Sequence, residues 1–279
     1  MTFLKNNDSL LRLEIQYKAF LATKNLIFLN AIIDITPFQK IFEELGEKEI
    51  STLKINSNLR LGNRLEHFLS FSLKLSNDFS ILAKNIQIVE NKITLGELDY
   101  IIQDNSNDSI FHLELANKFY LYDNNILNGV ERWIGPNRND SLMRKIKKLD
   151  EKQFPLLYHN QTIEILNTLG IDVKELEQKI LFNTQLFLPI NLYKGNQASD
   201  NVEGFYISQS EFQQKKYQNK LFFVPEKQDW QVNPKYCENW YTYHDIQSSI
   251  ELFLSKNKSP LVWLKNPKGS YEKFFIVWW

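Results

Sequence analysis

The stretch ITLGELDYIIQDNSNDSIFHLELANKFYLYD, residues 93 to 123, restricts the fold of this chain more than any other. Two runs of alternating character flank the polar loop DNSNDS and predict an antiparallel β-hairpin. Side chains alternate faces along a strand, so His112, Glu114, Ala116 and Lys118 share one face of the second run. Phe111, Leu113, Leu115, Asn117 and Phe119 share the other, which is expected to be the core face. On the first run Leu95, Glu97, Asp99 and Ile101 lie together. A loop closed symmetrically by Gln103 and Ile110 pairs Ile101 with His112 and Asp99 with Glu114. Two carboxylates then oppose each other with Cβ atoms about 5 Å apart, an arrangement that repels.

Such a pair needs compensation, by protonation of one acid, by a cation, or by a divalent metal held on hard oxygen ligands. Lys118 lies on the Glu114 face but about 13 Å further along the strand, too far to neutralise both acids at close range. A metal suits the pair if a further acid comes from outside the hairpin. Glu66 is the candidate. In NLRLGNRLEHFLSFSLKLS, Leu61, Leu65, Phe68, Leu69 and Leu73 form the apolar face of a helix, and Glu66 borders it. Gly62, one turn earlier, is expected to let this helix approach the sheet. Taken alone, Glu66 reads as a boundary acid paired with Arg60 or Arg64; beside two opposed acids it reads as part of a site. Glu97 is either a group behind those acids or a solvent-exposed acid at the strand start.

The rest of the chain supplies the setting. Its 279 residues are 43% apolar, enough for a large core, and 33 basic residues balance 33 acidic ones, so no global field points to a polyanion or a membrane. The single cysteine, Cys237, excludes an internal disulfide and suits a reducing cytoplasm, where it reads as a small buried hydrophobe. No apolar run approaches a membrane span, and the amino-terminal residues do not form a signal peptide, so a soluble cytoplasmic protein without a membrane partner is expected. His67, His112, His159 and His244 have no metal or triad spacing; His112 shares the Glu114 face.

Residues 10 to 50 read as mainly helical, with PFQKIFEELG closing on a helix-capping glycine. Strands are expected from about Ile86 to Tyr122, followed by a Gly-Pro-Asn loop, an N-cap at Asn139 or Asp140, and a basic helix in SLMRKIKKLDEKQ. TIEILNTLG and the Asp172/Glu175 pair signal two more helices. Near residue 189 the polar, turn-rich LPINLYKGNQASDNVEG divides the chain into residues 1–188, with a core of about 58–155, and a smaller 189–279 module. That module carries Trp230, Trp240, Trp263, Trp278 and Trp279 among short strands and one helix, and its aromatics are expected to fill a core. The fold class is α/β (α+β), a mixed central sheet flanked by helices with an aromatic-rich C-terminal α+β module.

A helix acid, a strand Asp, and a following strand with Glu and a nearby Lys resemble the PD-(D/E)XK phosphodiesterase superfamily, which includes restriction endonucleases. The ordered strings LGNRLEHFL, TLGELDYII, HLELANKFYL and WIGPNRNDSLMRKIKKL are similar to an uncharacterised bacterial family of unknown function assigned to that superfamily. The resemblance runs from about residue 60 to 155. It implies a restriction-endonuclease-like sheet and a nuclease using Mg²⁺ (or Mn²⁺) on nucleic acid, DNA rather than RNA. It also implies that Asp99 and Glu114 hold the metal, that Glu66 completes its ligands, and that Lys118 orients the attacking water. The usual lysine position, two after the Glu, is Ala116, so Lys118 is displaced by two residues. An inactive nuclease-like module that binds nucleic acid or assembles with protein is therefore the alternative. Arg138, Arg144, Lys145, Lys148 and Lys152, with Lys147, would meet the phosphate backbone, although a basic stripe on a helix is also an ordinary solvated face.

Overall fold

The structure is a computed structural model that describes residues 2–5, 8–26, 50–127, 129–193 and 201–279. The helix expected in PFQKIFEELG and most of the expected linker, residues 194–200, lie outside that set. The elements in chain order are α1 (Ser9–Ala22), α2 (Leu61–Leu75), β1 (Phe79–Glu90), β2 (Ile93–Asp104), β3 (Ile110–Tyr122) and β4 (Trp133–Ile134). There follow α3 (Leu142–Lys148), α4 (Asn160–Thr168), β5 (Glu177–Pro189), β6 (Val202–Ser208), β7 (Leu221–Phe223) and β8 (Tyr241–Thr242). The chain ends with α5 (Tyr243–Leu254), β9 (Leu261–Lys265) and β10 (Tyr271–Val277). The fold class is α+β, with mixed β-sheet flanked by helices. Among the described residues no helix is long and apolar enough to cross a membrane.

Two compact units arise, and they do not follow chain order. One comprises Asn25–Asn117 and Met143–Asn183; the other comprises Met1–Lys24, Lys118–Leu142 and Thr184–Trp279. In the first, β1, β2 and β3 form an antiparallel meander. The β1–β2 turn is tight because Asn91 and Lys92 both take the left-handed conformation that a two-residue hairpin needs, φ 49° and 67°. Asn-Lys lacks the glycine that usually marks such a turn, which hid the first seven residues of β1 from a reading that began at Ile86. Ile88, Leu98, Ile101, Leu156, Leu157 and Leu166 share one core cluster. Gly96 belongs to this packing: a Cβ there would come within 2.7 Å of Leu156 Cδ2, so a larger residue would push the Leu156 side chain aside. Gly62 does not play the expected role, since it is exposed and a Cβ on it would meet nothing within 4 Å.

In the other unit, the end of β5 pairs in parallel with β6, β6 pairs in parallel with β10, and β10, β9, β7 and β8 continue antiparallel. Phe205, Phe212, Phe222, Ile246, Ile250 and Phe274 form its principal cluster beneath α5. Trp263 and Cys237 are buried, as expected of core residues. Asp8 starts α1 by accepting from the amides of Leu10 and Leu11. Residues 172–176 make only a single 3₁₀ turn, in which Asp172 accepts from the Lys174 amide. The expected helix fails because β5 begins at Glu177, leaving no room for it.

Candidate functional site

Ile101 pairs with His112 and Gln103 with Ile110, the register that symmetric loop closure predicts. The β2–β3 backbone ladder then ends at the Tyr100–Leu113 pair. One step further, Asp99 Oδ2 accepts from the Leu115 amide at 2.8 Å, so a carboxylate stands where the next carbonyl acceptor would. Glu114 sits beside this break and is fully buried. The charge of Glu114 reaches Asp99, and so does that of Glu66. Burial pushes the Asp99 carboxyl up to about 7, with the Glu114 charge as the next cause and the Leu115 amide opposing both.

Glu66 comes to this place through Tyr100. The buried Tyr100 hydroxyl donates to the Glu66 carbonyl oxygen at 2.7 Å and contacts Ser70 Oγ at 2.9 Å, which pins α2 to the strand that carries Asp99. The Glu66 carboxyl is raised chiefly by burial, with a hydrogen bond from Asn85 opposing and Glu97 adding like charge. Asn85 falls in β1 between the Lys84–Tyr100 and Ile86–Leu98 pairs, at the level of Asp99, with φ 54°. A non-glycine residue held in that region is strained unless it is Asn or Asp, and here its side chain serves Glu66. Arg64, one of the two expected partners of Glu66, donates instead to the carbonyls of Asn56 and Ser57.

The face of β3 bearing His112 and Glu114 was expected to be the less buried one. Instead both residues are 0% exposed, as are Leu113 and Leu121 from the opposite face. The cover comes from Gln153, Phe154 and Gln178. Gln178 Nε2 donates to the Phe154 carbonyl (2.8 Å) and to His112 Nδ1 (3.2 Å), which leaves the His112 proton on Nε2 to be donated to Glu114 Oε1 at 3.0 Å. Gln153 Nε2 donates to Glu114 Oε2, and Gln153 Oε1 accepts from Lys145 Nζ at 2.7 Å. Both Glu114 oxygens are thus engaged. Among the described residues no three His, Cys, Asp or Glu side chains are gathered closely enough to hold a metal ion as they stand.

The cations are distributed differently from the sequence expectation. Lys118 is committed to Asp140, and Ala116, at the usual lysine position, is buried. Arg138 is held by the buried Asp123 at 3.0 Å and lies over the Trp279 ring at 4.5 Å, so its guanidinium braces a loop. Arg144, Lys147, Lys148 and Lys152 are exposed, whereas Lys145 is half-buried with its charge acting on Asp99. The residues that sequence reasoning passed over are Asn85, Gln153 and Gln178, neutral amides whose only signal is a polar residue in otherwise apolar surroundings.

A proton bound more tightly by Asp99 in the fold than in the unfolded chain has a definite consequence for stability. The contribution of this group is complete below about pH 4, the ordinary range, and is lost as the pH rises towards 7. Metal-free protein is therefore expected to lose stability between pH 4 and 7, and Asp99→Asn to flatten that decline. Chemical denaturation across this range in EDTA checks it; identical slopes for parent and variant would remove Asp99 as the cause.

A family model described as domain of unknown function (DUF1853) matches residues 22–277. No curated protein and no solved structure matches the chain.

Proposed function

The chain belongs to the DUF1853 family of domains of unknown function, and we propose that it is a metal-dependent phosphodiesterase of the PD-(D/E)XK kind that acts on nucleic acid, DNA rather than RNA. The observation that carries this reading is a buried Asp99 where the β2–β3 ladder stops, raised by burial and by the like charges of Glu114 and Glu66. A fold that only needed stability would not retain this repulsion. The donors are all oxygen, the chemistry a hard cation takes, and the three carboxylates would have to draw together to hold one, since they are not gathered closely enough as they stand. Asp99 and Glu114 would hold it, and Glu66 would complete its ligands. When bound, Mg²⁺ or Mn²⁺ would supply Lewis acidity to a phosphate oxygen and a more acidic water.

The chain's own residues contribute the rest. His112 and Gln153 fix the Glu114 carboxylate from both oxygens, and the Leu115 amide orients Asp99. Asn85 orients Glu66. The exposed Lys147, Lys148 and Lys152 extend along the surface from Lys145 and suit a phosphate backbone. Replacing these three by Gln is expected to reduce the slope of log affinity against log salt by about 2–3 for duplex DNA, since each phosphate contact contributes about 0.9. Binding measured at several salt concentrations checks this, and an unchanged slope would place the backbone elsewhere.

The inactive, nucleic-acid-binding alternative draws on one observation, the Lys118–Asp140 pair beside a missing lysine at Ala116. A Mn²⁺ titration with cleavage of labelled DNA and RNA separates the two. The phosphodiesterase reading expects saturable Mn²⁺ binding and cleavage, both lost in Asp99→Ala. Nucleic acid bound but uncut, with no Mn²⁺ binding, would favour the alternative.

A further inference from the structure

We infer that Lys145 on α3 is the lysine of this site, in place of Lys118, and that Gln153 is the residue that positions it. The inference rests on the phosphodiesterase reading above. It begins with what the strand lacks: Ala116 has no functional group, and the Lys118 ammonium is bound to Asp140. Lys145 reaches the acids from another element. Its Nζ donates to Gln153 Oε1 at 2.7 Å, and Gln153 Nε2 donates in turn to Glu114 Oε2. An amide accepts at one end and donates at the other, so it can link a cation to an anion without letting them collapse into a direct pair.

The backbone supports this placement. Leu149–Gln153 form a π-helical turn between α3 and the turn at Phe154–Leu156. An i→i+5 turn takes up one more residue than an α-turn, and single π-turns of this sort recur at functional sites. The wider turn brings Gln153 back over the Lys145 side of the helix. Gln178 then ties the Phe154 carbonyl to the residues under Glu114, and the Phe154 ring meets the His112 ring edge-on at 6.5 Å. Gly96 leaves room for the Leu156 side chain at the end of this turn. These features of local geometry hold the Lys145 ammonium one amide away from Glu114, and its charge acts on Asp99. Its role is electrostatic: Lys145 places positive charge where a scissile phosphate gathers negative charge, and it forms and breaks no bond.

The test compares the full-length parent with Lys145→Met, Lys145→Arg, Lys118→Met and Gln153→Leu, reading Mn²⁺ affinity, melting temperature, and kcat and KM on a DNA oligonucleotide. Lys145→Met is expected to lower kcat at least about 100-fold with little change in KM, while binding Mn²⁺ as tightly as the parent or more so, because a like charge has left. Lys145→Arg should recover part of kcat, and Lys118→Met should cleave like the parent. Gln153→Leu should lower kcat by less than Lys145→Met, and combining the two should add almost nothing, the signature of residues acting as one unit. A raised KM with unchanged kcat would make Lys145 a backbone contact and overturn the inference. Equal loss of melting temperature and Mn²⁺ affinity in Lys145→Met would make it structural and do the same. Parent protein that binds no Mn²⁺ and cleaves nothing would instead sink the phosphodiesterase reading, and this inference with it.

Discussion

Asp99→Asn is expected to raise the stability of the metal-free protein above pH 7 by about 1–2 kcal/mol, a few degrees in melting temperature, while removing Mn²⁺ binding. The Asn side chain keeps an oxygen for the Leu115 amide, so the bond that replaces the next rung of the ladder survives. What disappears is a charge that burial and Glu114 both oppose. In the parent, Mn²⁺ at about 100 times its dissociation constant should add about 2.7 kcal/mol, and this gain should vanish in the variant. A structural ion network predicts the reverse. Marked destabilisation of Asp99→Asn in EDTA, with no Mn²⁺-induced shift in the parent, would end the metal reading. Glu114→Gln is a harder case, because it alters the bonds from His112 and Gln153 at once; a modest loss of stability there would not distinguish the two.

The largest loss of stability is expected at Arg12, in the other unit. Asp229 is fully buried and receives Arg12 Nε at 3.1 Å, a second Arg12 nitrogen, and Gln16 Nε2. These bonds attach α1 to the 227–232 segment. Arg12 also meets Glu226, whose carboxyl burial would raise but which the Arg12 contact holds below its usual range. Arg12→Met strands a carboxylate without its cation and should cost about 3–5 kcal/mol, roughly 10 °C in melting temperature. Asp229→Asn keeps an acceptor for Gln16 and removes the stranded charge, so it should cost clearly less. If the two variants melt together, the pair is held by packing around the Arg12 stem and not by charge.

Much of the hairpin was legible because its signals are local. Period-two alternation and a polar loop set the β2–β3 register. The same reasoning does not reach the partner of Lys118, because a strand position determines which way a side chain leaves the backbone but not which partner waits there. Asp140, 22 residues further along, claimed it. Nor does it reach the partners of Arg138, Asp123 and Trp279. The basic helix was legible as basic, yet the π-turn that turns Gln153 towards Lys145 has no compositional mark.

By itself, then, the sequence determined the α+β class, the hairpin register, and the buried character of Cys237 and Trp263, because each follows from periodicity, turn chemistry or side-chain polarity within a short window. Only the tertiary structure decided that Glu114 is buried, that Tyr100 and Asn85 hold Glu66, that Gln153 links Lys145 to Glu114, and that Lys118 pairs with Asp140. Those outcomes depend on contacts between residues tens of positions apart. Hydrogen-bond partners and desolvation are properties of such contacts, and no local pattern of amino acids encodes them.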